Sequence, residues 1–167
     1  MLTQTRVAQA RTGRSNWTAL PFGKHQGKTL PEVLFHDPDW FFWAAEKEFL
    51  SGRLRTEAEM LFYRATNIKI PGNPDAQLEA EYDIDPTVNR LSGLRIVTKQ
   101  SSLYAGSSHV RRSDRIDMSA PRRLSSYDKK GNRIFLRACK HCLFGDRDLR
   151  LTRQDCEDFF SDPHRFV

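Results

Sequence analysis

Apolar residues recur at helical spacing in several stretches of this chain and at strand spacing in others. After Pro38, Trp40, Trp43 and Ala44 fall at i, i+3 and i+4, and Leu50 extends the stripe. Asp39 offers an N-cap oxygen before it, and Ser51-Gly52 reads as its stop. A second helix is expected after Thr56, with Glu59 completing a capping box and Ala58, Leu61, Phe62 and Ala65 on one face. The short connection between the two predicts a helical hairpin with Trp40, Trp43 and Phe62 in its core. Further along, the period changes to two. Leu94, Ile96 and Thr98 alternate with Arg95, Val97 and Lys99, and Arg115 to Met118 is a second candidate strand. Asp128 to Gly131 reads as a turn. Helical spacing returns with Phe135, Ala138, Cys139, Cys142 and Leu143, closed by Gly145. Thr152 is placed to cap a last helix carrying Cys156, Phe159 and Phe160, stopped by Asp162-Pro163. The pattern predicts an α+β fold: an N-terminal hairpin plus helical hairpin, followed by a small basic α+β module.

Composition narrows this picture. The chain has 167 residues, of which 38% are hydrophobic and 29% charged, enough apolar material for a real core. No window approaches the roughly 18 apolar residues of a membrane span, and the first residues lack the apolar run of a secretory signal. Three cysteines make no disulfide framework, so a reducing, cytoplasmic setting is expected. Net charge is +6, unevenly distributed. Residues 1–70 carry +3, residues 71–86 carry −5 with no base, and residues 87–167 carry +8. The acidic stretch also holds Pro71, Gly72, Asn73, Pro74 and Pro86, which break helices and mark turns. The expected organisation is therefore a flexible arm at 1–16, a module at 17–70, an acidic linker or long surface loop at 71–86, and a basic module at 87–167.

The most distinctive string is Phe22-Gly-Lys-His-Gln-Gly-Lys28, bounded by Pro21 and Thr29. Gly23 and Gly27 permit positive φ, and Lys24, His25 and Lys28 sit between and after them. A short glycine-bounded loop with exposed amides and two lysines is a device for contacting phosphate. Its spacing is not that of a Walker A loop, so nucleotide hydrolysis is not expected. With Leu30, Val33, the Asp37-Pro38 step and the aromatic segment that follows, residues about 20–66 resemble the small FGKxxGK module at the C-terminus of exodeoxyribonuclease X. Related short bacterial and phage proteins share it. The resemblance implies a nucleic-acid-associated accessory module. It does not bring nuclease activity, because the nuclease's catalytic domain has no counterpart here. Residues 87–167 carry no such resemblance.

Between residues 87 and 137 there are 12 bases and three acids. The run is Arg111, Arg112, Arg115, Arg122, Arg123, Lys129, Lys130, Arg133 and Arg137. Arginine predominates, and its planar fork suits phosphate. Tyr104 and Tyr127 are interleaved and suited to stacking on bases. The candidate nucleic-acid contacts are thus Lys24, His25, Lys28, Arg111, Arg112, Arg115, Arg122, Arg123, Lys129 and Lys130, with Tyr104 and Tyr127. Cys139-Lys-His-Cys142 with Cys156 and His164 forms an alternative zinc set. Against it, the pair lies on an apolar helical face and lacks a second C-x-x-C. His36, Asp37, Asp39, Asp83 and Asp85 are the candidates for a divergent metal-dependent nuclease, the weakest of the readings, since nothing in their spacing makes them converge. The expected function is a non-catalytic nucleic-acid-binding protein without a cofactor, with DNA ahead of RNA as ligand. The alternative is a regulator that uses its basic face on an acidic partner protein.

Overall fold

The structure, a computed structural model, describes residues 16–102 and 109–167. The expected arm, up to its last residue, and Tyr104 lie outside the described residues. Elements of both kinds are present, and the α+β expectation holds.

The chain first doubles back through the FGKHQGK turn. The Leu20 N–H donates to the Lys28 carbonyl, and the Gly27 N–H to the Leu20 carbonyl, both at 2.8 Å. Gly23 and Gly27 take φ of +79° and +82°, which favours glycine. Only one bridge, Ala19 to Thr29, joins the two arms, so this is a closed loop rather than a pair of strands. A helix follows at once, α1 (Leu30–His36), which the periodicity does not reveal. Its start is chemical: Pro31 presets the first turn, and the Glu32 carboxylate accepts from the Thr29 N–H at 2.8 Å.

Helix α2 (Pro38–Glu46) is capped by Asp37, not Asp39. Its buried face is Phe41, Phe42 and Ala44. The expected core residues Trp43 and Phe62 are instead exposed. Helix α3 (Gly52–Thr66) begins five residues earlier than expected, with Ser51 at its N-cap; the Ser51-Gly52 pair opens a helix instead of closing one. Ala58, Leu61 and Ala65 are buried as their spacing requires.

The acidic stretch is the largest departure. Residues 78–85 are not linker or loop but a strand, β2 (Leu78–Asp85). It lies in the middle of an antiparallel sheet, between β3 (Arg90–Thr98) and β4 (Val110–Ser113). Its even residues Ala80, Tyr82 and Ile84 are buried, with Glu79, Glu81 and Asp83 alternating between them. Two short strands, β1 (Ile68–Lys69) and β5 (Arg115–Ile116), pair separately. The expected strand at 115–118 is real but ends at Ile116, where the Asp117-Met118 turn leads to α4 (Ala120–Arg123).

Helix α5 (Lys129–Phe144) packs on β3. The expected turn at 128–131 is its cap: Asp128 accepts from the Gly131 N–H at 2.6 Å. A Cβ on Gly131 would sit 2.8 Å from Arg90 Cγ and 3.2 Å from the Leu91 carbonyl, so glycine sets this close approach. Gly145 ends α5 in the left-handed region, as expected. Helix α6 (Arg153–Ser161) starts on the Thr152–Asp155 capping box, also as expected.

One apolar core joins these elements. Phe35 of α1 meets Phe159 and Phe160 of α6, both at 5.4 Å between ring centres, and Phe144 of α5 at 5.9 Å. Residues on both sides of the acidic stretch, such as Leu61 and Phe135, belong to the same buried cluster. No helix among the described residues is long and apolar enough to cross a membrane.

Candidate functional site

The arginines picked out by the sequence are mostly held by carboxylates of the chain itself. Glu81 of β2 stands opposite Arg95 of β3 and Arg112 of β4, because both pairings are in register. It is 1% exposed. Arg95 Nε lies 2.7 Å from Glu81 Oε1, and Arg112 Nε 2.8 Å from Oε2. Burial pushes the Glu81 carboxyl up, but the two guanidiniums outweigh it and hold the group below its ordinary value. Arg112 also donates to the Ser101 carbonyl at 2.8 Å. Arg115 bonds Asp114 at 2.7 Å and Asn67 Oδ1 at 2.6 Å. Arg122 bridges Asp39 at 2.7 Å and Glu46 at 2.8 Å, tying α4 to α2. Arg123 bonds Asp117 at 2.6 Å. Arg111 donates to the Val110 carbonyl at 3.1 Å.

The FGKHQGK loop shows the same economy. Lys24 Nζ is 2.6 Å from Asp37 Oδ2, and His25 Nε2 is 3.0 Å from the same oxygen. The His25 ring is buried and stands edge-on to Trp40, 5.0 Å between centres. Asp37 also accepts from the Trp40 N–H at 3.3 Å. Burial raises the Asp37 carboxyl, and its bonds to Lys24, His25 and Trp40 bring it below the ordinary range. The Asp37 hydrogen bond raises Lys24 in return. Two of the loop's three candidates thus lock the loop onto the cap of α2. Lys28 is half-buried and has no acid partner among the described residues.

Helix α5 is different. It carries Lys129, Lys130, Arg133, Arg137 and Lys140 and no acid. Only Arg137 has a carboxylate partner among the described residues, Asp148 at 2.9 Å, and both side chains of that pair are exposed. Arg133, Arg137 and His141 recur every four residues and so share one face. With Arg147 they line a groove of about 300 Å³ against Ser92, Gly93 and Leu94 of β3. Lys129 and Lys130 stand exposed at its N-terminal end. The selection from sequence stops at Lys130. Arg133, Arg137, His141 and Arg147 complete the groove; the i, i+4, i+8 spacing is the signal for the first three, and Arg147, beyond the end of α5, carries none.

Tyr127 is exposed just before this helix. The zinc alternative does not assemble: no group of three or more candidate ligands comes together among the described residues. Cys139 is fully buried, and burial pushes its thiol up; Cys156 is pushed to about 12 for the same reason. His164 lies on an exposed turn (Pro163–Arg165). No family model, curated protein or solved structure matches the chain.

Proposed function

We propose that this chain is a nucleic-acid-binding accessory protein that catalyses no reaction, and that the α5 face is its phosphate-facing surface. DNA is favoured over RNA, and the setting is cytoplasmic. The observation that carries this reading is the charge of α5. Five bases, one of them in an exposed ion pair, crowd a single helix. Lys129 and Lys130 occupy its first turn, where the positive end of the helix dipole disfavours cations. Such charges do not serve the helix; they suit a polyanion, and their release of counterions supplies affinity. The resemblance of residues about 20–66 to the FGKxxGK module supports the same reading and a bacterial, phage or mobile-element setting. The test is a titration of the protein with a labelled DNA oligonucleotide at several salt concentrations. Affinity should fall along a log–log line whose slope is about 0.9 per phosphate contacted in duplex. Lys130→Glu/Arg133→Glu should bind more weakly and lower that slope by about one per base removed. No binding at low salt would overturn the reading in favour of an acidic protein partner.

A further inference from the structure

The basic groove on α5 is bounded on three sides. Arg133, Arg137 and His141 line it from the helix, and Ser92, Gly93 and Leu94 from β3. Arg147 lines it from the turn that follows α5. Gly145 ends the helix in the left-handed region, and the chain then folds back along it. Asp148 thereby meets Arg137, about two turns short of the helix end. Leu94, Ile134 and Ala138 give the groove an apolar lining. Its volume of about 300 Å³ is at the small end of the range for ligand pockets.

Among the described residues, no carboxylate lines this groove, and every charged side chain that does is an arginine. The acids closest to it are accounted for. Asp148 pairs with Arg137 at an exposed edge, where such bonds hold weakly. Asp146, in the same turn, accepts from the Asp148 N–H at 2.9 Å. Asp83 stands opposite Gly93 in register, but it alternates with Tyr82, which pairs with Leu94, and so belongs to the other face of the sheet. Three guanidiniums therefore share one small space with no acid inside it. The turn bearing Arg147 bounds the groove at the C-terminal end of α5. Towards the other end the positive track continues to Lys130 and Lys129 in the first turn.

We propose that the groove seats the phosphorylated end of a DNA strand, with the terminal phosphate among Arg133, Arg137 and Arg147 and the next phosphates running towards Lys130 and Lys129. The inference rests on the nucleic-acid reading and deepens it by naming the part of the ligand that the groove takes. A phosphodiester within a strand carries one charge and must continue in both directions, which suits an open surface. A terminal phosphate monoester carries about −1.5 to −2 at neutral pH and presents three acceptor oxygens. Arginine forks bind such a group bidentately, and a groove bounded at one end admits a strand that stops there. The apolar lining suits the terminal sugar. A free nucleotide would fill the groove but leave the lysines beyond it unused.

The test uses the full chain and one short labelled DNA oligonucleotide in three forms: phosphorylated at the 5′ end, phosphorylated at the 3′ end, or with hydroxyls at both. Wild type should bind one phosphorylated form roughly 10- to 100-fold more tightly than the hydroxyl form. Arg147→Gln and Arg137→Gln should each cut that preference roughly tenfold. Lys129→Gln/Lys130→Gln should weaken all three forms alike and keep the preference. Both arginines are exposed; a melting curve checks that each variant is folded, and if one is not, the other decides. Equal affinity of wild type for the three forms, with binding still salt-dependent, would overturn the strand-end assignment and leave the nucleic-acid reading standing. A preference that survives in both arginine variants would also overturn it. Competition by a nucleoside monophosphate as strong as that by the phosphorylated oligonucleotide would give the groove to a free nucleotide instead. Failure of wild type to bind any form at low salt would overturn both readings.

Discussion

The arginines of β4, β5 and α4 and the bases of α5 are near neighbours in sequence and opposites in use. Arg112, Arg115, Arg122 and Arg123 each meet a carboxylate of the fold. Lys129, Lys130, Arg133 and Lys140 meet none among the described residues. The first group closes the structure on itself; the second leaves its charge to solvent. A count of bases along the chain cannot separate them. Arg115 and Arg123 are met by acids close in sequence, Asp114 and Asp117, while Arg112 and Arg122 are met by acids that arrive from a distance: Glu81 from β2, and Asp39 and Glu46 from α2. Net charge in a segment is thus a poor guide to the charge its surface presents.

The sharpest way to break this contrast is at Arg112. Arg112→Ala leaves half of the Glu81 carboxylate buried without its partner. Removing one member of a buried pair costs about 3–5 kcal/mol, and Arg95 still covers the other oxygen, so the lower end is expected. A fall in melting temperature of several degrees, read by circular dichroism, checks it. Replacing both partners by apolar residues, Glu81→Leu with Arg112→Met, should recover much of the loss. An Arg112→Ala protein as stable as wild type would put this arginine in the solvent-facing group.

Acid titration tests the same contrast with no mutation. Glu81 and Asp37 have folded pKa values below their ordinary ones. A group depressed on folding adds stability that is complete above its unfolded pKa, about 4.3 for Glu and 3.9 for Asp. That stability is lost as pH falls through the folded value. Denaturant midpoints should therefore be insensitive to pH through the weakly acidic range and drop below about pH 4. The drop should be shallower in Arg112→Ala, whose Glu81 has lost one of its two stabilising guanidiniums. The α5 bases are expected to contribute little to this slope, since among the described residues they meet no carboxylate whose titration would register them, Arg137 excepted.

How much of this was readable in advance depends on whether the information was local. Helix α6 was legible, because Thr152 and Asp155 cap it within four residues and Asp162-Pro163 stops it. The end of α5 was legible from Gly145. Strand β2 was misread, although Ala80, Tyr82 and Ile84 alternate correctly. Its acids argued for a solvated linker, and the arginines that neutralise them stand on strands reached only after the chain has turned back. The face of α2 was misread by one residue. Trp40 and Trp43 fit a helical stripe as well as Phe41 and Ala44 do, and only the packing of α1 and α3 decides between them. The FGKHQGK loop was located correctly as a glycine-bounded turn. The attachment of Lys24 and His25 to Asp37 was not foreseen, although Asp37 lies only a short helix away.

A smaller effect is expected where α5 meets β3. Gly131→Ala would push a methyl group towards Arg90 Cγ and the Leu91 carbonyl. The Arg90 side chain can yield, while the carbonyl at 3.2 Å is backbone and must move with its strand. Overpacking of this kind costs about 1–3 kcal/mol, partly offset by the better helix propensity of alanine. The midpoint of a denaturant titration should fall with its slope unchanged. The basic groove depends on this approach, so any shift of α5 should also weaken DNA binding, which Arg112→Ala should do only by unfolding the chain.

The smallest effect on stability belongs to the residues given the largest role in binding. Lys130 sits in the first turn of α5 and Arg133 one turn on, and neither has an acid partner to lose among the described residues. Surface changes away from special contacts usually fall within about 0.5 kcal/mol. Here the sign is set by the helix. An acid in the first turn is favoured by the dipole by about 0.3–1 kcal/mol at low salt, and the cluster of like charges with Lys129 is relieved. Lys130→Glu/Arg133→Glu should therefore melt at or slightly above the wild-type temperature, and the gain should shrink as salt is added. Binding should move the other way, falling with each phosphate contact removed. A stability gain paired with a binding loss is the signature of charge kept for a ligand. If the double variant instead unfolds, these bases belong with Arg112 and the division between the two regions disappears.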